Sequence, residues 1–425
     1  MSRYSEIKRT YVKIGERMGK VPAMIYEPRL LGEKSRIAVV VMHSDGDYFE
    51  FSPTVALAER GYRVFAAHFE DPSIPLDNKV NQLAEVFDYA KRYNGVEKVL
   101  ILGHSGGATL MSAYQAIAEK GRSVFQDDKR IIRLDDGREL TPADGVMLLD
   151  SNFGNGAMSL LSMDPSVVDE TDGVKRDPKF DLTNPANGYD KEDCHYEEAF
   201  IKKYLKAQGE RMNRLIKYAQ ERVALIDAGK GRYADDEPMI IPGGTQIAPM
   251  NKLFPQMTKF FSHTENEWEL IHKDGSITTQ IVPCVRDARP AMETASKYRL
   301  GALTTTVKTF LKSSAVVALP AFGYDETTLY GVDWDSSYCV TTGNAAHISK
   351  PMLLMGMTGS YEYIAAEHIY KRASACADKT LAFVEGASHN FVANEATGGI
   401  SGNDWGDTVK TCFDYVDRWI ESRFM

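Results

Sequence analysis

Apolar residues along this chain follow two rhythms, and their alternation predicts the architecture of both its ends. Short continuous apolar runs at 37–42, 62–68, 98–102, 145–150, 351–356 and 379–384 read as strands buried on both faces. Between them, helical spacing of apolar positions marks 51–60, 79–93 (with Val80, Leu83, Phe87 and Ala90 on one side), the stretch after Gly107, 363–376 and 407–423. Strands alternating with helices predict an α/β fold with a mostly parallel, doubly wound sheet and helices on both faces. A hairpin is expected ahead of it, from Thr10–Ile14 and Val21–Tyr26 with Gly15 and Gly19 between. The alternation stops between 153 and 346. That stretch holds a turn-rich run at 181–188, a long helical pattern at 197–228, a hairpin at 268–282 turning on Asp274-Gly275, and a helical pattern at 294–314. The chain therefore divides into a core in two parts, 1–152 and 347–425, and an insertion, 153–346, expected to be mainly helical.

One junction between strand and helix carries chemistry. Lys98–Leu102 ends abruptly in Gly103-His104-Ser105-Gly106-Gly107, and helix-forming residues follow at once. Strand, tight turn and helix give Gly-x-Ser-x-Gly the meaning of a nucleophile elbow. Only small neighbours fit so sharp a turn, and Gly103 and Gly107 supply the room. Ser105 then projects its hydroxyl over the sheet, above a helix N-terminus that favours developing negative charge. The same glycines do not make a P-loop, because no Gly-Lys-Ser/Thr follows.

A serine hydroxyl needs an imidazole to take its proton, and histidine titrates near the working pH. Of nine histidines, His389 stands out, directly after the last predicted strand in Glu385-Gly-Ala-Ser-His389. His43 and His104 flank the elbow and are expected to line the substrate pocket or to orient its loops. Asp45, Asp47 and Glu50 beside them read as solvated or hydrogen-bonded loop acids, not as a cation site.

Bulk numbers narrow the partners. The 425 residues carry a net charge of -9, which argues against nucleic acid. No apolar run approaches the ~18 residues that span a bilayer. Five scattered cysteines without C-x-x-C spacing read as reduced thiols, and the first residues lack a leader-like apolar run. The expectation is a cytoplasmic protein acting on a small molecule, without membrane, metal or cofactor.

Gly103-His-Ser-Gly-Gly107, Val41-Met-His43-Ser44 and Glu385-Gly-Ala-Ser-His389 together resemble the α/β-hydrolase superfamily, over both flanks of the chain. In that superfamily the serine follows the fifth strand and the histidine the last. The resemblance implies Ser105 as nucleophile, His389 as general base, and an oxyanion hole from the amides of Gly106 and of Ser44 or Asp45. It also implies that 153–346 is a cap inserted after the sixth strand, with cap surface available for a homodimer. The aspartate usual after the seventh strand is missing from Gly356–Tyr363. Asp150, ending the sixth strand, is the first choice for the acid that orients His389; Glu362 is the reserve and Glu367 the third. Serine at the elbow, where epoxide- and halide-displacing relatives carry aspartate, leaves acyl chemistry. The expected activity is hydrolysis of a small-molecule ester, lactone or related acyl bond. Carbon–carbon bond hydrolysis, acyl transfer, and a ligand receptor without catalysis remain as alternatives.

Overall fold

The structure, a computed structural model, describes residues 7–15, 21–246, 252–289, 291, 294, 296–394 and 404–425. Its centre is a ten-stranded sheet. Strands β1 (Ile7–Ile14) and β2 (Val21–Pro28) form the expected hairpin, with Gly15 at φ 104°; Gly19 lies outside the described residues. There follow β3 (Ile37–Met42), β4 (Arg63–Ala67), β5 (Lys98–Ser105) and β6 (Gly145–Ser151). Helices α1 (Ser52–Glu59), α2 (Leu76–Arg92) and α3 (Gly107–Lys120) connect them. We number the elements of the intervening segment β7–β12 and α4–α8, so the last core strands are β13 (Met352–Met357) and β14 (Lys379–Val384). Helices α9 (Ile364–Arg372) and α10 (Thr408–Phe424) complete the core.

The strand order is β1-β2-β4-β3-β5-β6-β13-β14, continued by β8 (His263–Ile271) and β9 (Ile277–Pro283). From β4 to β8 every pairing is parallel. Both faces of this parallel region are apolar because helices cover both. One face packs Val40, Ile101, Val146 and Leu354 beneath α2, α3 and α9, and the other packs Val41, Leu102, Leu149 and Met355 beneath α1 and α10.

The segment 153–346 departs from expectation in two places. The hairpin β8–β9, with Gly275 at φ 82° in its turn, extends the central sheet, so this part of the insertion belongs to the core layer. The pattern at 294–314 is not one helix. It contains α6 (Tyr298–Gly301), strand β10 (Ala302–Thr306) and α7 (Val307–Ser313). The β-branched run Thr304-Thr305-Thr306 favours the extended form, and it pairs with β7 (Pro238–Pro242). With α4 (Asn155–Leu160), the 30-residue α5 (Glu198–Asp227), the β11 (Val317–Tyr324)–β12 (Leu329–Asp333) ribbon and α8 (Thr341–Asn344), the insertion is mixed, not mainly helical. Its aromatics chiefly build its own core: Phe254, Phe260, Phe261 and Tyr324 are buried against one another, whereas Tyr233 and Tyr330 are exposed.

Candidate active site

The elbow is built from what is missing at its glycines. A Cβ on Gly103 would stand 2.6 Å from Ala108 Cα, and one on Gly107 would stand 2.8 Å from the Met42 carbonyl. The turn closes that tightly because α3 begins two residues after Ser105, which itself sits at φ 51°. A non-glycine residue in that region is strained, and such strain marks functional positions.

Asp150 is the second such residue, at φ 43°. Pairing of β5 with β6 runs from His104 with Leu149 to Ser105 with Ser151, so Asp150 bulges out of register. The bulge turns its fully buried carboxylate toward the neighbouring strand end. Oδ1 accepts the Met357 amide at 2.8 Å, and Oδ2 lies 2.6 Å from His389 Nδ1. His389 is held in turn by its loop: its carbonyl accepts from His104 Nε2 at 2.7 Å, and the Gly386 amide donates to Thr358 Oγ1 at 2.8 Å.

The other face of the imidazole meets a second carboxylate. Glu362 Oε2 stands 3.7 Å from His389 Nε2 and accepts from the Ser105 hydroxyl at 3.4 Å. Ser105 and His389 make no direct hydrogen bond; Glu362 bridges them. Burial alone would push His389 down, but Glu362 and the hydrogen bond and charge of Asp150 outweigh it and raise its pKa to about 9. Burial also raises Glu362, against the attraction of His389 and of Lys252. The third carboxylate considered, Glu367, is elsewhere: it accepts from the amides of Glu265 and Asn266 and from Trp268 Nε1, and so ties α9 to β8.

The loop after β3 corrects one expectation. Asp45 cannot offer its amide to an oxyanion, because that N–H and the Gly46 N–H both donate to His43 Nδ1, at 3.0 and 2.8 Å. The amide of Ser44 makes no hydrogen bond among the described residues, and the Ser44 hydroxyl donates to Asp45 Oδ2 and accepts from Asn155 Nδ2. Asp45 also pairs with Lys79 at 3.1 Å, and Asp47 accepts the Phe49 amide, so these acids are satisfied within the protein.

His104 is not available to a substrate either. Its Nδ1 accepts from the Tyr48 hydroxyl at 2.6 Å while Nε2 donates to the His389 carbonyl, and burial drives its pKa well down. Its place near Asp150 and His389 therefore reads as support and not as a metal ligand. His43 is also held neutral, lowered to about 4 by burial, with the proton on Nε2 because Nδ1 accepts two amides. That nitrogen lies 3.4 Å from where a Cβ of Gly106 would be, beside the elbow.

Sequence reasoning passed over Tyr48, Asn155, Lys79 and Lys252, none of which carries a motif. It also missed a cavity of about 230 Å³ beside His389, lined by Tyr361, Asn390 and, from the insertion, Pro255, Arg286 and Arg289. No helix among the described residues is long and apolar enough to cross a membrane.

No family model matches the chain, and no curated protein does. Solved structures do. Est1E from Butyrivibrio proteoclasticus is 11% identical over 98% of each chain, with a TM-score of 0.41. An alpha/beta hydrolase, GrgF from Penicillium sp., is 11% identical over 99% of each chain (TM-score 0.42). Esterase B from Lactobacillus rhamnosis is 11% identical over 99% of this chain and 91% of its own (TM-score 0.40). The sheet itself speaks more directly. It has a parallel centre covered on both faces, a serine on a tight turn after the fifth strand, a histidine after the last strand, and a long insertion after the sixth. This chain has the α/β-hydrolase fold.

Proposed function

We propose that the protein is a serine hydrolase that cleaves an ester, lactone or related acyl bond of a small molecule through an acyl-enzyme on Ser105. The observation that carries this reading is the pairing of His389 Nδ1 with Asp150 Oδ2 at 2.6 Å, beside a serine held at positive φ on a helix N-terminus. In this mechanism Ser105 Oγ bonds to the acyl carbon and gives its proton to His389 Nε2. The tetrahedral oxyanion is held by the amides of Gly106 and Ser44. The imidazolium returns the proton to the leaving alkoxide, and water repeats the sequence to release the acid. Asp150 keeps one tautomer and stabilises the imidazolium. The stretch 153–346, apart from its sheet hairpin, acts as a cap, since Pro255, Arg286 and Arg289 wall the cavity that reaches His389. A cavity of that size suits a small substrate.

The test is chemical. Fluorophosphonate treatment at pH 9, followed by intact-mass analysis, is expected to add one adduct to the wild-type protein and none to Ser105→Ala. An adduct that persists in the alanine variant refutes the nucleophile. No adduct in the wild type, with ligand binding intact, favours a receptor.

A further inference from the structure

The serine and histidine of this site are separated by a carboxylate that the acyl-enzyme cycle does not use. Glu362 is nearly buried, and the same oxygen, Oε2, faces Ser105 Oγ at 3.4 Å and His389 Nε2 at 3.7 Å. A buried carboxylate needs a compensating charge. Among the described residues, the charged and titratable groups around it and its imidazole partner are these. His389 stands across from it, with Asp150 behind the ring; Arg286 and Arg289 line the cavity beside the imidazole, and Arg289 opposes its protonation. Lys252 comes from the insertion, its ammonium donating to the Gln246 carbonyl at 2.7 Å. Tyr48 and Tyr361 add hydroxyls that burial and nearby negative charge, Glu362 included, keep protonated. Burial lowers Lys252 to about 8, against the pull of Glu362.

The chemical consequence is awkward for a hydrolase. With a carboxylate at each ring nitrogen, the imidazole holds both protons, and an imidazolium cannot accept one from serine. Neutral substrates leave that clamp closed. A substrate that brings its own positive charge opens it, because a cation on Glu362 removes the negative field from Nε2. The position defines where that cation sits. Oε2 is 3.4 Å from the attacking oxygen, so a group paired with it lies within a few bonds of the carbonyl under attack.

We propose that Glu362 binds an ammonium group carried close to the scissile carbonyl, so that the preferred substrates are esters or amides of short amino acids. This rests on the serine-hydrolase reading above. Binding and activation are then one event: the ammonium pairs with Glu362, His389 sheds its Nε2 proton to solvent, and Ser105 gains its base. Neutral acyl donors are turned over only at alkaline pH, where His389 loses that proton without help.

The experiment compares alanine ethyl ester with two neutral counterparts of similar shape, ethyl isobutyrate and ethyl lactate, by pH-stat at pH 7 and pH 9. The expected wild-type result is a kcat/KM at pH 7 at least about 100-fold higher for the ammonium ester. In Glu362→Gln the ratio falls toward unity, the rate on ethyl isobutyrate at pH 7 rises, and the ascending limb of its pH profile moves to lower pH. Glu362→Asp, which keeps the charge, retains part of the preference. A wild-type ratio near unity overturns the proposal without any variant, as does a preference that survives in Glu362→Gln. Equal preference for ethyl lactate shows hydrogen bonding in place of charge recognition and also overturns it. Fluorophosphonate labelling separates the two levels. An adduct on Ser105 with a flat substrate ratio defeats only this inference, whereas no adduct at pH 9 defeats the hydrolase reading itself.

Discussion

Replacing Asp150 by asparagine probes the proposed catalytic relay with almost no change of shape. Asp150, itself fully buried, accepts two hydrogen bonds, from the Met357 amide through Oδ1 and from His389 Nδ1 through Oδ2. An asparagine has one acceptor and one donor for those two positions. Were its oxygen to face His389, its amide group would confront the Met357 N–H, leaving buried donors unpaired at a cost of about 1–3 kcal/mol each. Were its oxygen to face Met357, the amide would donate to Nδ1 and the imidazole proton would move to Nε2, where Glu362 can receive it. The second arrangement pairs both of the groups that Asp150 bonds and so prevails. It also leaves His389 in the tautomer that cannot take a proton from Ser105. The loss in kcat is expected to be about four orders of magnitude, by analogy with the wrong-tautomer protease variant. That corresponds to about 5 kcal/mol of transition-state stabilisation. The assay is steady-state hydrolysis of a short p-nitrophenyl ester at pH 9, with thermal melting as control, and the melting temperature should fall by only a few degrees. A folded Asp150→Asn protein within about tenfold of wild-type kcat would refute the relay.

Three further outcomes follow from the same contacts. Gly103→Ala places a Cβ 2.6 Å from the Ala108 backbone, so thermal or urea unfolding should show a loss of at least about 1–3 kcal/mol, together with lost activity from a distorted elbow. His104→Phe strands the Tyr48 hydroxyl and the His389 carbonyl; it is expected to cost about 1–3 kcal/mol per group in the same unfolding assay and to lower kcat more than it changes KM. Burial would raise Glu367, but the Trp268 indole, the Glu265 amide, Asn266 and Lys371 together hold it below the ordinary glutamate value. A depressed folded-state pKa contributes stability above the unfolded-state value and loses it as pH falls through the folded one, so the wild type should lose stability over that acidic window and Glu367→Gln should lose less.

What was legible in the sequence is what local chemistry dictates. The elbow is written in consecutive residues, because a turn that tight excludes side chains at Gly103 and Gly107. The buried strands show as unbroken apolar runs, because helices cover both faces of the sheet. The hairpin β8–β9 was legible as a hairpin, with Asp274-Gly275 at its turn, yet not as part of the sheet. Its place depends on three residue pairs between β14 and β8, far apart in sequence. The strand Ala302–Thr306 was hidden because its partner, β7, lies some sixty positions earlier in the chain, and only that pairing turns its β-branched run into a strand.

The acids of the site show the same limit at the scale of single side chains. Three carboxylates stood near the expected place, and the sequence ordered them, Asp150 first, only by their position along the chain. Backbone geometry supplies the physical reason. The out-of-register bulge at Asp150, with φ 43°, swings its carboxylate sideways to His389 Nδ1, where strand alternation alone would have pointed it to one face of the sheet. Glu362 follows Ser360, whose hydroxyl accepts its amide at 3.1 Å, in the turn before α9 that brings its longer side chain over Nε2. Glu367, five residues on, faces β8 instead. Reading Asp150 and Glu362 as alternatives for one role assumed that His389 has a single side to fill. The imidazole has two nitrogens, and the structure sets a carboxylate against each. In the proposed mechanism their roles differ by position: the acid at Nδ1 would stabilise the charge that catalysis creates, while the acid at Nε2 would occupy the path of the proton itself. On the proposal made above, that distinction gives Glu362 the choice of which substrates can start the reaction, a part different from that of Asp150.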